Sequence, residues 1–190
     1  MCLMCEMTFL GFAEPQLPML ESYADALRRG WSSNTVRDVS AIELAEIAAD
    51  PAGFIEARQD AAPLTATIRL PDGREVPKLP GRIRWIWDGE FAGAINMRWM
   101  PDNAPLPPHV LGHVGYSVVP WKQGHRYARK ALRHMLSEAR DVGLTRIDIT
   151  TDADNLPSQK VVLANGGRFE HAFHSAYWGD HLRHLYVIDL

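Results

Sequence analysis

The sequence is poor in cysteine and has no long apolar run. Its only two cysteines are Cys2 and Cys5, at one end of a chain of 190 residues. A disulfide framework is therefore excluded, and two reduced thiols are a simpler interpretation than part of a metal site. No segment is apolar enough to span a bilayer, and Glu6 interrupts the short apolar start, so a secretory signal is not indicated. We expect a cytoplasmic protein without a membrane partner or a bound metal.

An excess of charge of either sign is also missing. Twenty basic and 23 acidic residues give a formal net charge of −3. Such a balance creates no general attraction for nucleic acid, so a polyanion would need a local basic cluster. One cluster of this kind extends from Lys122 to Lys130. Repeats and low-complexity segments are absent, and the length fits one domain with its own core.

The spacing of apolar residues divides the chain near residue 80. Before it the period is helical, with helices predicted at 17–27, 41–49 and 54–58 and a small hairpin around residues 71–73. After it strands and helices alternate, which predicts an α/β domain with a mixed, mostly antiparallel central sheet flanked by helices. The elements predicted there are strands at 82–87, 91–99, 109–119, 145–151, 168–173 and 181–188, and helices at 124–142 and after Asn155. The strand at 145–151 is expected to run parallel to the one before it, through a right-handed crossover.

A possible anion site lies where the strand at 109–119 leads into the helix at 124–142. The first N–H groups of a helix have no intrahelical acceptor, and the helix dipole adds partial positive charge there. Phosphate is a natural ligand for such an end, and Gly124 permits close approach to the backbone. Basic side chains around Gly124, among them Lys122, His125 and Arg126, strengthen the prediction.

The segment as a whole resembles the GNAT superfamily of N-acetyltransferases. Its phosphate loop, Arg/Gln-x-x-Gly-x-Gly/Ala, corresponds to residues 123–128, with Arg126 where the second glycine is expected. Residues 115–120 resemble the fourth strand of that family. The pattern Asp152-x-x-Asn155-x-x-Ser158 resembles its last motif. The resemblance implies a single domain, with an acetyl-CoA-binding core at residues 81–190 and a helical acceptor-side elaboration at residues 1–80.

The resemblance also implies roles for particular residues. Ser158 would hydrogen-bond to or protonate the departing thiolate, because Val162 stands where many members carry a tyrosine. Asn155 would anchor the pantetheine arm or the splayed strand. Backbone groups of residues 116–118 would pair with the pantetheine, and those of the loop would hold the pyrophosphate. The implied cofactor-binding set is Tyr116, Ser117, Val118, Gln123, Gly124, His125, Arg126, Tyr127, Ala128, Asn155 and Ser158.

The acceptor amine must lose a proton before it attacks the thioester, so a base or a chain of water molecules is required. His113 lies in the strand where related enzymes often carry a glutamate, and its imidazole suits that task. Tyr116 is a weaker alternative. We expect an acetyl-CoA-dependent N-acetyltransferase that acts on a small-molecule, peptide or protein amine, with a homodimer allowed. The alternative is a non-catalytic acyl-CoA-binding or regulatory domain of the same fold.

Three further groups of residues are given a structural interpretation. Histidines 171, 174, 181 and 184 suggest zinc, but their spacing sends neighbours to opposite faces of a strand. The six tryptophans are expected mainly in the core. Asp88 and Glu90 flank a hairpin turn, where acidic residues are ordinarily solvated.

Overall fold

The computed structural model describes residues 10–35, 37–59, 67–70, 73–175 and 177–190. Cys2 and Cys5 lie outside the described residues. The predicted order of elements after residue 80 is confirmed. The strands are β1 (Gly11–Ala13), β2 (Thr67–Arg69), β3 (Glu75–Pro77), β4 (Gly81–Trp87), β5 (Phe91–Arg98), β6 (Val114–Val118), β7 (Arg146–Asp152), β8 (Arg168–His174) and β9 (Leu182–Asp189). The α-helices are α1 (Leu20–Arg28), α2 (Ser40–Ala49), α3 (Pro51–Glu56), α4 (Tyr127–Asp141) and α5 (Leu156–Leu163).

The predicted antiparallel hairpin forms the middle of a four-stranded sheet with the order β1-β4-β5-β6. Its register joins Trp85 to Ala94, and a bulge interrupts the ladder between Ile86 and Trp87. Strand β1 was not predicted, because three residues carry no readable alternation. Strand β6 is shorter than the predicted span of 109–119, since residues 109–113 form a loop. Strand β6 is at the end of the sheet, and among the described residues no further strand pairs with its outer edge, which is called the free edge below.

A second sheet has the order β7-β9-β8, and all its pairings are antiparallel. We expected β7 to run parallel to β6 in one continuous sheet. The predicted pairing of these two strands is wrong, because no ladder joins them in the described part of the chain. The two sheets approach each other closely just before β6, where Gly112 passes so near β7 that a Cβ would lie 2.8 Å from the Asp148 carbonyl oxygen. Beyond that point the strands separate and leave a cleft.

Helices α4 and α5 cover one side of both sheets. The long helix was predicted from its apolar stripe, and Leu132 and Met135 at the centre of that stripe are completely buried. They pack against Ile95 of β5 and Ile147 of β7, so one apolar cluster spans the cleft on its helix side. Because this stripe is buried, the position of α4 is fixed, and with it the position of the helix end that faces β6.

The N-terminal helices form a second cluster on the opposite face of the first sheet. Tyr23 of α1 stacks on Trp85 of β4, with ring centroids 4.6 Å apart. Its hydroxyl donates to the buried carboxylate of Glu43, 2.7 Å away, and Arg58 forms an ion pair with that carboxylate at 2.8 Å. The segment before residue 80 thus packs on the core. None of the helices described is both long and apolar enough to cross a membrane.

Candidate functional site

A cavity of about 470 Å³ occupies the cleft between β6 and β7. Its walls come from both strands, from the first turn of α5, and from the loops before α2 and β9. Among the described lining residues, Thr35 comes from the segment before residue 80 and the others come from residues 111–183. The described residues that line it are Thr35, Leu111, Val114, Gly115, Tyr116, Ile149, Thr150, Thr151, Asp152, Asn155, Ser158, Trp178, His181 and Arg183.

Two hydroxyls meet across this cavity. The Tyr116 hydroxyl lies 2.8 Å from Ser158 Oγ, where either atom can donate, and 3.1 Å from the Ser158 carbonyl oxygen. Tyr116 faces the helices because its partner in the ladder, Ile95, is a core residue. Burial raises the pKa of Tyr116 to about 12. The structure thus brings the predicted Ser158 together with a tyrosine from the opposite wall.

Asn155 holds the start of α5. Its side-chain Oδ1 accepts a hydrogen bond of 3.1 Å from the Ser158 N–H, so Asn155, one of two candidates with Asp154 for the cap of this helix, is the capping residue. Asn155 also lines the cavity. Val162 is completely buried in the core, so the position at which many relatives carry a tyrosine faces the protein interior here.

The free edge of β6 presents backbone groups to the cleft. The Val119 N–H donates to Ala92, and the Arg98 N–H donates to His113, so residues 113, 115, 117 and 119 point their backbone groups toward β5. Those of Tyr116 and Val118 then point away from β5. Ser117 does not fit the prediction in this respect, because its backbone faces β5. Its hydroxyl accepts a hydrogen bond of 2.9 Å from Trp31 Nε1.

The loop between β6 and α4 contains two residues with left-handed backbone. Gly124 has φ +83° and Arg126, the residue before the first turn of α4, has φ +61°, so both are left-handed. An arginine therefore adopts the backbone form that glycine would favour. Within the described chain, the N–H groups of residues 124–126 form no backbone hydrogen bonds. Those of Tyr127 and Ala128, in the first turn, have no intrahelical acceptor.

Side chains of the loop contact its own backbone. The Gln123 side-chain amide donates to the Val118 carbonyl oxygen at 3.2 Å and so holds the end of β6. His125 Nδ1 lies 3.0 Å from the Gln123 carbonyl oxygen. The Arg126 side chain is exposed. These contacts leave the loop amides accessible for a ligand.

Asp88 was expected to be solvated, yet it fastens this loop to the hairpin. Its carboxylate forms an ion pair with Lys122 and accepts a hydrogen bond of 2.7 Å from the Tyr127 hydroxyl. Burial alone would raise the pKa of Asp88, but the hydrogen bonds from Lys122 and Tyr127 outweigh it and hold the pKa below its usual range. Lys122 also pairs with Glu90 at 2.8 Å. No local sequence signal joins residue 88 to residue 122, because the contact depends on the fold.

His113 does not line the cavity that holds Ser158. It lies in a neighbouring cavity of about 510 Å³ beneath the proline-rich loop. Its Nδ1 accepts a hydrogen bond from the Asp148 N–H at 3.0 Å, and burial lowers the pKa of the ring. The base role of His113 stays a prediction, and the contacts seen for this ring are structural ones.

The loop before β9 closes the other end of the cavity. The buried Arg183 donates to the carbonyl oxygens of Trp178 and Gly179 at 2.7 and 3.2 Å, and its Nε lies 3.4 Å from Asp152. Trp178 Nε1 donates to the His109 carbonyl oxygen at 2.7 Å. The part of the chain that the structure describes contains no group of three His, Cys, Asp or Glu side chains suited to a metal ion. The role of Arg183 was not predicted, because no pattern near it in the sequence indicates that its side chain holds this loop.

Comparisons with known proteins agree with this architecture. A model of the acetyltransferase (GNAT) family matches residues 43–166, well over half of the chain. No curated protein sequence gives a match. An acetyl transferase from Salmonella typhimurium, which modifies the N-terminal serine of the 50S ribosomal subunit protein L7/L12, has a similar structure. Its TM-score is 0.63 at 15% identity, over 96% of either chain.

Two other solved structures were determined with ligands. The microcin C7 self immunity acetyltransferase MccE, in complex with acetyl-CoA and AMP, has a TM-score of 0.60 at 14% identity, over 95% of this chain and 92% of that one. RimL, a ribosomal L7/L12 alpha-N-protein acetyltransferase in complex with coenzyme A, has a TM-score of 0.60 at 14% identity, over 96% and 95%. Identities this low show a shared fold.

Proposed function

The chain belongs to the acetyltransferase (GNAT) family, and we propose that it transfers an acetyl group from acetyl-CoA to an amine by direct attack in a ternary complex. The observation that carries the proposal is the cleft between β6 and β7, in which Ser158 and Tyr116 meet beside a free strand edge. The phosphate loop follows β6 directly. A thioester lying along β6 would therefore bring its sulfur toward the hydroxyl pair.

The donor would be held by backbone groups. The N–H groups of residues 124–128 suit the pyrophosphate, since they are unpaired and lie at the positive end of α4. The outward backbone groups of Tyr116 and the carbonyl oxygen of Val118 suit the amides of a pantetheine arm, which would add to the sheet edge as a further strand. Ser117 would support this edge through Trp31 rather than contact the donor.

Ser158 would donate a hydrogen bond to the thiolate as it leaves. A hydrogen bond to a charged group contributes about 1.5–3 kcal/mol, or about 10- to 150-fold in rate when it forms only in the transition state. The N–H of Val118 points away from β5 and would stabilise the oxygen of the tetrahedral intermediate. Both donors come from the chain itself.

Two routes are open to the proton of the amine. Sequence reasoning assigns it to His113, and we retain that role as a proposal to be tested. Water in the cavity is the alternative, and it is favoured by the observation that His113 lies in the neighbouring cavity. Thr35 and Trp178 line the cavity, and an acceptor bound beside them would contact the segment before residue 80 through Thr35.

An acceptor panel tests the proposal. The panel should contain small amines, amino acids and peptides, including a peptide that begins with serine, because the Salmonella typhimurium neighbour modifies an N-terminal serine. We expect amine-dependent release of CoA and a product heavier by one acetyl group. Ser158→Ala should lower kcat about 10- to 100-fold, and Ser137→Ala, at an exposed serine of α4, should not. Equal rates for the two variants would remove Ser158 from the reaction.

A further inference from the structure

We propose that Tyr116 is a positioning residue for the transfer reaction, and that its hydroxyl orients the Ser158 hydroxyl toward the leaving sulfur. The inference rests on the proposed function and adds to it a side-chain role on β6. Its basis is geometric. One phenol oxygen lies within hydrogen-bond distance of both oxygen atoms of Ser158, at 2.8 Å from Oγ and 3.1 Å from the carbonyl oxygen.

This geometry allows two arrangements of the same two protons. In the first, the Tyr116 hydroxyl donates to the Ser158 carbonyl oxygen, and Ser158 Oγ donates to the phenol oxygen. In the second, the phenol donates to Oγ, which frees the serine proton to point into the cavity. Rotation of the two hydroxyls exchanges the arrangements without moving a heavy atom. Only the second presents a donor to sulfur.

Ser158 is held on both sides. Asn155 Oδ1 accepts from its backbone N–H at 3.1 Å, which fixes the first turn of α5. Tyr116 approaches from the facing strand and contacts the hydroxyl. A serine side chain without such a partner would be free to adopt other rotamers. The two contacts together therefore hold a single donor at the wall of the cavity.

The pair donates a hydrogen bond and keeps its protons. Burial raises the pKa of Tyr116 to about 12, whereas an ordinary thiol has a pKa of about 8.5, so a thiolate cannot remove the phenol proton at equilibrium. In the transfer step the C–N bond forms, the C–S bond breaks, and the electron pair of the C–S bond goes to sulfur. The thiolate is finally protonated by the proton that the amine loses, carried by solvent.

The experiment compares two acyl donors in the full-length protein. Acetyl-CoA has a thiolate leaving group, and the corresponding selenoester has a more acidic selenol, which needs less help to leave. We expect Tyr116→Phe to slow turnover of acetyl-CoA about 10- to 100-fold, and to slow turnover of the selenoester only a few-fold. The Ser158→Ala variant should show the same donor dependence, and the double variant should lose little more than either single one.

Tyr186→Phe is the matched control. It removes a tyrosine hydroxyl from β9, outside the cavity, and should leave both donors unaffected. Equal slowing of both donors by Tyr116→Phe, or slowing of neither, would overturn the positioning role while the proposed function stands. A wild-type protein that binds acetyl-CoA but releases no CoA with any amine would overturn the proposed function and this role together.

Discussion

His113 forms two hydrogen bonds with the backbone of Asp148, one through its imidazole and one through its own backbone N–H. The ring Nδ1 of His113 accepts a hydrogen bond from the Asp148 N–H at 3.0 Å, and the backbone N–H of His113 donates to the Asp148 carbonyl oxygen at 2.7 Å. They connect the loop before β6 to β7 at the point from which the two strands separate. The ring therefore acts as a tie at the base of the cleft.

This tie predicts a dependence of stability on pH. Burial lowers the pKa of His113 in the folded protein below its ordinary value of about 6.5. The unfolded chain then binds the proton more tightly than the folded protein does. The contribution of the neutral ring to the free energy of unfolding is therefore fully present above about pH 6.5, and it is lost as pH falls from there toward the folded-state pKa. Chemical denaturation between pH 5 and pH 8, a range around the ordinary histidine pKa of about 6.5, measures this loss of stability.

Two substitutions separate the charge from the hydrogen bond. His113→Leu should cost about 1–3 kcal/mol at neutral pH, because it leaves the Asp148 N–H unpaired. His113→Asn keeps an acceptor and should cost less. Both should flatten the dependence of stability on pH. A wild-type slope that persists in both variants would show that another group titrates.

The pH dependence of turnover tests the base assignment. If water accepts the amine proton, His113→Asn should lower kcat/KM modestly and leave the shape of the pH–rate profile unchanged. Loss of the acidic limb in that variant would instead identify His113 as the base, as the sequence prediction holds.

Arg126 separates backbone strain from charge. Arg126→Gly should stabilise the protein by about 1 kcal/mol relative to Arg126→Ala, because φ is +61° at this position. Both variants lose the exposed charge beside the loop amides. Their affinity for acetyl-CoA should therefore fall below that of the wild type by the same factor, and this difference should become smaller at high salt. Denaturation and titration calorimetry measure the two effects. Wild-type affinity in both variants would exclude a phosphate contact by this side chain.

Asp88 offers a test of loop positioning. Asp88→Asn weakens the ion pair to Lys122, so the phosphate loop should be held less well. We expect KM for acetyl-CoA to rise about 3- to 10-fold with kcat nearly unchanged, an effect of the size of one ordinary hydrogen bond, because asparagine keeps the acceptor but loses the charge. Glu90→Gln is the control, because this second partner of Lys122 is 58% exposed on its side chain and should matter little. A fall in kcat for Asp88→Asn would place Asp88 closer to the chemistry.

Much of the fold could be predicted from local patterns. The stripe on α4, the alternation in β4 and β5, and the cap at Asn155 each depend on residues close in sequence. The separation of β6 from β7 could not be predicted, because crossover rules favour adjacent parallel strands and the alternation of each strand does not identify its partner.

The site shows the same division. The loop at 123–128 could be found from its glycine and basic residues, and Ser158 from the resemblance of its motif to the family, since each pattern lies within a few residues. The contact between Tyr116 and Ser158 joins positions 42 residues apart, and that between Lys122 and Asp88 joins positions 34 apart. Only the assembled sheet brings such pairs together. Strand alternation did place Tyr116 and His113 on opposite faces, but it could not show which face borders the cavity.

Release of CoA, followed with a thiol reagent as the amine is varied at saturating acetyl-CoA, decides whether this protein transfers an acetyl group. We expect release that saturates with at least one amine, yields the acetylated amine in equal amount, and falls about 10- to 100-fold in Ser158→Ala. Saturable binding of acetyl-CoA without release on any amine would contradict it and would identify an acyl-CoA-binding domain that does not catalyse transfer.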